Sequence, residues 1–248
     1  MTRLSKLIFL LVLLPVLCFA RGDYYKDAGA GAGASAGCVY DMCETFEASE
    51  FDNGACGSAP CVTESGAIDG DTATSGLDAG IDMEPDKCVT IGYNGAYLDL
   101  TFGNTAEWVY FQGHFAFNDA MEEARIILHA RSAASDHGYI YITSAGAIAG
   151  NVSGGSSSSS GDAAIAVDTD VWIKVKAKIG TGANAEFWCS YWTGAAWSSW
   201  YGDNDGTRTA NIIEFRLLNT QNEEAEDQFW DSVEIEITDA DPFSGDPT

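Results

Sequence analysis

One strictly alternating segment, residues 171 to 179, constrains the fold more than any other part of the sequence. It reads VWIKVKAKI, so that five apolar side chains alternate with Trp172, Lys174, Lys176 and Lys178. A period of two residues is that of a β-strand with one face on a core and the other in water. The Gly-rich stretch GTGAN that follows predicts a loop, and EFWCSYW predicts a second strand. The sequence therefore predicts an antiparallel strand pair here.

Similar short segments, separated by turn residues, fill most of the chain after residue 88. They read CVTIGYNGAYLDLTF, WVYFQGHFAFN, ARIILHARS, GYIYITSAGAIAGNV, NIIEFRLLN and FWDSVEIEITD. Asn94-Gly95 is a dipeptide favoured in tight hairpin turns, and it predicts a hairpin in the first of them. Helix-forming residues leave a helix over 119 to 131 as an alternative to a strand. About ten to twelve short strands with no long helix predict an all-β, antiparallel two-sheet sandwich.

The sequence predicts that the chain is divided into three regions. Residues 1–20 have a basic start, an apolar run interrupted by Pro15 and a small residue, Ala20, at the expected cleavage point. This pattern is typical of a secretory signal peptide, and a membrane anchor is the alternative. Residues 21–37 are a flexible Gly/Ala linker. Residues 38–248 form one domain with a Cys-rich N-terminal part at 38–87. We therefore expect a secreted, extracellular protein with no membrane span after cleavage.

Charge and cysteine content narrow the function classes. The chain has 37 acidic and 12 basic residues, a formal net charge of -25, so nucleic acid is excluded as a partner on electrostatic grounds.

Six cysteines remain after signal cleavage, and an even number in a secreted chain predicts disulfides, whose pairing the sequence leaves open. They are Cys38, Cys43, Cys56, Cys61, Cys88 and Cys189.

The order of these segments resembles a known superfamily. WVYFQGHFAFN, ARIILHARS, GYIYITSAGAI, DTDVWIKVKAKI, EFWCSYWTGAAW, IIEFRLLN and FWDSVEIEI follow one another as in the concanavalin A-like lectin/glucanase superfamily, in its laminin-G-like form. The resemblance covers about residues 44 to 238. It implies a jelly roll, and it implies a lectin, a carbohydrate-binding or adhesion module, a glucanase or a polysaccharide lyase.

Aromatic residues and lysines in and around 171 to 201 indicate carbohydrate binding. Sugar rings stack on aromatic faces, and five of the seven tryptophans lie in this stretch. The candidate ligand-binding residues are Trp172, Lys174, Lys176, Trp188, Trp192, Trp197, Trp200 and Tyr201. The lysines suit carboxylated or sulfated glycans. The alternatives are that the rings pack in the core and that the lysines are solvated and protect a sheet edge.

The same resemblance implies a structural Ca²⁺ site. Members of the superfamily often hold Ca²⁺ between an acid near the start of the fold and an Asp that opens the last strand. Glu47, or Glu44 as an alternative, and Asp231 occupy comparable places here. Ca²⁺ takes six to eight oxygen ligands, which carboxylates and carbonyls supply. Solvated loop acids are the alternative reading.

The sequence contains parts of the catalytic motifs of two enzyme classes, glucanases and polysaccharide lyases. Glu234 and Glu236 match part of the glucanase motif, but Thr238 stands where a third acid is needed, so we expect solvated glutamates. A lyase would use Gln112 and His114 with a second set of residues, Arg125, His129, Arg131 and Tyr139 or Tyr141. The order of these segments differs from that of alginate lyases. We therefore expect a non-catalytic binding domain, with a polysaccharide-active enzyme and a self-assembling structural subunit as alternatives.

Overall fold

The structure, a computed structural model, contains only β-strands and connections in the residues that it describes. These are 42–44, 61–65, 68–73, 87–92, 95–103, 106–118, 124–133, 135–153, 160–166, 169–220 and 227–247. The predicted signal peptide and linker lie outside these residues, as does most of the Cys-rich part. Within the described ranges there is no helix long and apolar enough to cross a membrane.

Fifteen strands are described. They are β1 (Met42–Glu44), β2 (Cys61–Ser65), β3 (Ile68–Ala73), β4 (Lys87–Ile91), β5 (Tyr97–Thr101), β6 (Trp108–Phe117), β7 (Arg125–Arg131), β8 (Asp136–Ile142), β9 (Ala147–Val152), β10 (Ser160–Ala164), β11 (Val171–Lys178), β12 (Gly180–Tyr191), β13 (Tyr201–Arg208), β14 (Glu214–Leu218) and β15 (Gln228–Glu236).

The strands form two antiparallel sheets packed face to face. Sheet A has eight strands in the order β13-β12-β11-β6-β15-β4-β3, with β1 also paired to β15. Sheet B has seven strands in the order β10-β9-β8-β7-β14-β5-β2. The predicted all-β antiparallel sandwich is confirmed, although the strands are more numerous than the ten to twelve that the sequence indicated.

Alternating side chains from both sheets fill the space between them. On β11, Ile173, Val175 and Ala177 are fully buried, as the alternation predicts. Phe111 of sheet A and Phe215 of sheet B meet with their ring centroids 5.1 Å apart. Burial of each such side chain stabilises the fold by about 1.5–3 kcal/mol. The core therefore fixes which residues face outward on each sheet.

The predicted hairpin at Asn94-Gly95 is wrong. β4 pairs with β3 and β15 in sheet A, whereas β5 pairs with β2 and β14 in sheet B. The chain therefore changes sheets at this turn. Gly95 has a φ of 77°, and its N–H donates to the carbonyl oxygen of Asn219 at 3.0 Å. A tight turn of this kind can be a corner between two sheets as well as the end of a hairpin.

Two other local predictions change. The helical alternative for 119 to 131 is wrong over Arg125–Arg131, which is strand β7; residues 119–123 lie outside the described part. The predicted loop GTGAN lies within β12, where Gly180 pairs with Arg208 of β13. A Gly turn joins β8 and β9 as an antiparallel hairpin, with Gly146 at a φ of 79°.

Cys189 is an exception to the predicted disulfides. It is a free thiol, fully buried on β12, and donates a hydrogen bond to the carbonyl oxygen of Tyr201 at 3.3 Å. Burial raises the pKa of this thiol, which keeps it protonated and unreactive. Cys88 is buried on β4. Cys38 and Cys56 lie outside the described residues, so pairing among the remaining cysteines stays a prediction.

Burial of His137 makes stability depend on pH. His137 on β8 is 1% exposed, and burial lowers its pKa from 6.5 to about 4, an effect that the backbone of Glu186 and Lys178 opposes only in part. Between these pH values the unfolded chain binds a proton on His137 and the folded chain does not. Stability therefore falls as the pH falls from about 6.5 to about 4.

We expect His137→Asn to weaken this dependence. The loss of unfolding free energy between pH 7 and about pH 4.5 should be smaller in the variant by about 2 kcal/mol. Urea denaturation of both proteins at the two pH values measures it. The many carboxylates titrate in both proteins and cancel in the comparison. Identical pH dependence would show that His137 is not the responsible group.

Candidate functional site

The outward residues of β11 and its two neighbours form one continuous polar and aromatic surface on sheet A. β11 lies between β6 and β12 in the sheet. Lys176 is opposite Tyr110 on one side and Trp188 on the other. Because opposite residues on neighbouring antiparallel strands point to the same face, their side chains meet there. The backbone register thus brings cations and aromatic rings together.

Three lysines and four tryptophans on this surface contact one another, and we call this group the Lys–Trp ladder. It consists of Lys174, Lys176 and Lys178 with Trp108, Trp188, Trp197 and Trp200. The Nζ atom of Lys178 lies 5.0 Å from the ring centroid of Trp108, and that of Lys176 lies 5.6 Å from Trp188 and 4.7 Å from Trp200. The Nζ atom of Lys174 lies 4.9 Å from Trp200 and 4.6 Å from Trp197. All five contacts are within the range of cation–π attraction.

The three lysines differ in their ionic partners. Lys174, only 4% exposed, pairs with Asp241 at 2.9 Å and donates to the carbonyl oxygen of Phe243 at 3.2 Å. Lys178 pairs with Glu107 at 3.2 Å and Glu186 at 3.7 Å.

Lys176 is the half-buried member between these two. No carboxylate of the described residues lies within ion-pair distance of its ammonium group, and burial lowers its pKa. The expectation of solvated lysines at a sheet edge is wrong for Lys174, since it is buried on a central strand.

The other predicted ligand-binding residues lie at different places. Trp172 stacks on His114, with centroids 4.7 Å apart and the rings nearly parallel. Trp192 meets Trp197 edge to face at 5.6 Å, in the connection between β12 and β13. Tyr201 stacks on Tyr191 and packs against the core. Tyr201 therefore lies on the core side of sheet A and not with the lysines, and a role for it in ligand binding stays a prediction.

The β6–β15 part of this face is closed by its own hydrogen bonds. His114 Nε2 lies 2.6 Å from Asp170 Oδ2, and Gln112 Nε2 donates to Glu234 Oε2 at 3.3 Å. His114 and Glu234 are almost fully buried, and Glu236 is half-buried. The expectation that both glutamates are solvated is therefore wrong. These side chains hold one another in place and offer little surface to a ligand.

The Ca²⁺ prediction is not tested by this geometry. Asp231 is fully buried on β15, and its Oδ1 atom accepts a hydrogen bond from the backbone N–H of Ser232 at 2.6 Å. Glu47 lies outside the described residues. Within the part of the chain that is described, no three His, Cys, Asp or Glu side chains converge as a metal site would require. A Ca²⁺ site at Glu47 and Asp231 stays a prediction.

A second polar surface lies on the outer face of sheet B. His129 and Tyr139 are opposite each other on β7 and β8, with ring centroids 5.8 Å apart. His129 Nδ1 lies 3.5 Å from Asp136, and burial lowers the pKa of His129. Arg131 pairs with Asp136 and with Glu214. This face therefore carries a neutral histidine beside a tyrosine and an arginine.

The structure divides the lyase residues that the sequence grouped together. His129, Arg131, Tyr139 and Tyr141 share the outer face of sheet B, whereas Gln112 and His114 lie on sheet A. Arg125 is almost fully buried with its guanidinium 5.7 Å from the centre of the Phe117 ring. No single groove collects the whole predicted set.

Sequence reasoning missed two members of the surface around the ladder. Trp108 stands two residues before Tyr110, so the alternation of WVYFQGH placed it on the outward face and offered a signal. Asp241 follows the last strand and reaches Lys174 from a distant part of the chain. No local pattern around Asp241 indicates this contact.

Comparison with known proteins bears on the fold. No family model matches the sequence, and no curated protein matches it. The endo-β-1,4-glucuronan lyase from the fungus Trichoderma reesei has a similar structure, with a TM-score of 0.54 at 12% identity over 84% of this chain and 100% of that chain. The receptor-binding domain of botulinum neurotoxin type G gives 0.53 at 6% identity, over 84% of this chain and 49% of that one.

The receptor-binding domain of a botulinum neurotoxin mosaic serotype C/D gives similar values, a TM-score of 0.52 at 7% identity over 83% of this chain and 49% of that one. At such low identities the similarity shows the fold alone. The structure and these neighbours together define the protein as a jelly-roll β-sandwich.

The pair of Lys174 and Asp241 gives a stability prediction. Asp241→Asn removes the carboxylate and leaves a buried ammonium group, so we expect a loss of about 1–3 kcal/mol in unfolding free energy. Asp239→Asn removes the same charge from an exposed residue and should change stability by less than about 0.5 kcal/mol. Denaturant unfolding measures both. Equal effects of the two variants would contradict the structural role of the ion pair.

Proposed function

We propose that this protein is a secreted carbohydrate-binding domain that binds an anionic polysaccharide on the Lys–Trp ladder without cleaving it. One observation carries the proposal. The ammonium group of Lys176 lies between the rings of Trp188 and Trp200 and has no ion-pair partner among the described residues, whereas Lys174 and Lys178 are both neutralised by carboxylates.

The ladder combines the two interactions that an acidic sugar needs. The C–H face of a pyranose ring packs on a tryptophan face and buries apolar area. A carboxylate or sulfate on the same sugar forms a charge-assisted hydrogen bond with a lysine. Lys176 and Trp188 lie side by side on β11 and β12, so one sugar residue can contact both. The half-buried position of the ammonium group strengthens its attraction for an anion.

The charge of the whole chain limits where such a ligand binds. With a formal net charge of -25, most of the surface repels a polyanion. The ligand is therefore held at the ladder and excluded elsewhere, and its binding weakens as salt screens the attraction. Secretion, expected from residues 1–20, places the domain where extracellular polysaccharides occur. A Ca²⁺ at Glu47 and Asp231 would support the fold beside the sheet.

We expect Lys176→Met to weaken the binding of a polyuronate, such as glucuronan, by about tenfold or more. Methionine keeps much of the apolar length of lysine, so the variant isolates the charge. Lys178→Met is the matched control, because Lys178 already pairs with Glu107 and Glu186, and its affinity should fall by less than about threefold. Isothermal titration calorimetry at low and high salt measures both.

Two outcomes would count against the binding site. Unchanged affinity in Lys176→Met would show that the polysaccharide binds elsewhere. Absence of binding to charged and neutral polysaccharides alike, together with concentration-dependent association of the protein, would favour the structural-subunit alternative.

A polysaccharide lyase is the second candidate, and the pair of His129 and Tyr139 favours it. β-Elimination removes the proton at C5 of a uronate and expels the glycosidic oxygen at C4, so it needs a base, an acid and a group that neutralises the carboxylate. A neutral histidine, a tyrosine and Arg131 stand on one face of sheet B. The similarity to a glucuronan lyase in fold makes glucuronan the appropriate test substrate.

The charges on that face argue against it. Arg131 is paired with Asp136 and Glu214, and Arg216 holds Asp99 through two bonds of 2.6 and 2.7 Å. Three carboxylates thus face two guanidinium groups. A uronate brought to this face meets excess negative charge, and each arginine must first leave its own partner. The binding function is therefore the better supported one.

We expect no release of unsaturated uronates from glucuronan by the wild-type protein, as measured by their ultraviolet absorbance. Release by the wild type and by Lys176→Met, but not by His129→Ala, would establish the lyase instead.

Tyr139→Phe tests whether the Tyr139 hydroxyl transfers a proton, because this variant keeps the aromatic ring and removes only the hydroxyl. Loss of release in this variant would identify Tyr139 as an acid or base.

A further inference from the structure

A small polar cavity lies at one end of the sandwich, away from both faces described above. It is lined by the turn between β7 and β8 and by the end of β13, and its volume is about 160 Å³. The lining residues are Ser132, Ser135, His137, Thr207, Arg208, Thr209 and Ala210. This volume has room for several water molecules or for one tetrahedral anion.

The lining is rich in hydrogen-bond donors and contains no carboxylate among the described residues. This is unusual in a chain that has 37 acidic and 12 basic residues. Arg208 supplies a guanidinium group, and four residues supply hydroxyl groups. The neighbouring carboxylate of Asp136 is turned to the outer face of sheet B, where it pairs with Arg131. The cavity therefore has a positive, donor-rich lining.

Two buried groups at the cavity have hydrogen-bonding capacity to spare. No hydrogen bond of good geometry reaches either ring nitrogen of His137, which is 1% exposed, although the backbone of Glu186 and Lys178 lies near enough to act on the ring. The Nε atom of Arg208 is likewise buried and without a partner, while its Nη1 donates to the carbonyl oxygen of Thr207 at 3.2 Å. Leaving a buried donor such as the Nε–H of Arg208 unsatisfied costs about 1–3 kcal/mol. A ligand that accepts hydrogen bonds would remove this cost.

The serine pair at the turn is already positioned. Ser132 Oγ donates to the carbonyl oxygen of Ser135 at 3.1 Å, and the N–H of Ser135 donates back to Ser132 Oγ at 3.2 Å. These bonds fix the turn, so the Ser135 hydroxyl is held at the cavity at little further entropic cost. A neutral imidazole, a guanidinium and several hydroxyls together match an oxyanion, which accepts hydrogen bonds from every direction.

We infer that the cavity between Ser132, His137 and Arg208 binds a sulfate-type oxyanion, either as the free ion or as the sulfate ester of a sugar. Arg208 contributes the charge, His137 donates one N–H, and the hydroxyls of Ser135 and Thr209 complete the set of donors. This site is independent of the Lys–Trp ladder, since it lies at the junction of β13 with the β7–β8 turn.

The test is a titration of the full-length protein with sodium sulfate, followed by NMR of the His137 imidazole and the Ser132 and Thr209 amides. Sodium chloride at matched ionic strength is the control for screening. Thermal shift is avoided because sulfate stabilises folded proteins without binding to a site. We expect saturable shifts at these three residues with sulfate and not with chloride.

Two variants decide whether the cavity is the site. Arg208→Gln should weaken sulfate binding by about tenfold or more. Lys176→Gln removes the same charge from the ladder and should leave the shifts at His137 unchanged. If Arg208→Gln is unfolded, Thr209→Val, which removes one hydroxyl at similar volume, should weaken binding by about threefold or more. Loss of the shifts in Lys176→Gln but not in Arg208→Gln, or no saturable shift at all, would overturn the proposal.

Glucose 6-sulfate and glucose, titrated in the same way, separate the two sources of the anion. Shifts at His137 with the sulfated sugar show that the cavity accepts an ester, and shifts with free sulfate alone show that it takes the small ion. Binding of glucuronan to the ladder is measured apart from this, so each proposal can fail without the other.

Discussion

The position of β11 in the middle of sheet A is the constraint on which the outer face of that sheet depends. Because β6 and β12 pair with it on both sides, its backbone hydrogen bonds are made and its side chains can point only inward or outward. The inward set is apolar, and Ile173, Val175 and Ala177 within it are fully buried. The outward set contains three lysines that stand between neighbouring strands, and each must find a partner or lose hydration uncompensated. Aromatic rings on β6, on β12 and in the connection from β12 to β13 supply those partners, together with carboxylates from loops and from β12.

This arrangement explains why the three lysines differ in their ion-pair partners. Lys174 is closed off by Asp241 and Phe243, which come from the segment after the last strand. Lys178, near the end of β11, is reached by two carboxylates from the surface. Lys176 lies between rings, and no carboxylate of the described residues is within ion-pair distance of it, although Glu186 and Asp241 act on it from farther away. A cation held by aromatic faces alone keeps much of its capacity to attract an anion, whereas one paired with a carboxylate has largely lost it.

The sequence predicted the sandwich because alternation and turn residues are local signals. Val171 to Ile179 showed which side chains share a face, and the same reasoning extended to Trp108 would have completed the ladder. Prediction from local patterns failed where the pairing partner of a strand depends on the whole fold. Asn94-Gly95 is a hairpin signal, yet β4 and β5 enter different sheets, since the pairing choice depends on β14 and β15 more than a hundred residues away. The side of the sheet on which Tyr201 lies was not predictable for a related reason, because only the register with β12 shows that it faces Tyr191 and the core.

The lyase residues illustrate the same limit for a functional site. His114 and His129 are fifteen positions apart and both stand on aromatic, alternating strands, so the sequence places them together. In a jelly roll, however, consecutive strands often belong to opposite sheets, and β6 and β7 do. Their imidazoles consequently point away from each other across the sandwich. One is locked by Asp170 and Trp172, and the other is held near Asp136 beside Tyr139. Chemistry that needs both imidazoles in one site is therefore not supported by this arrangement. The binding proposal rests instead on the outer face of sheet A, where the central cation, Lys176, has no ion-pair partner among the described residues.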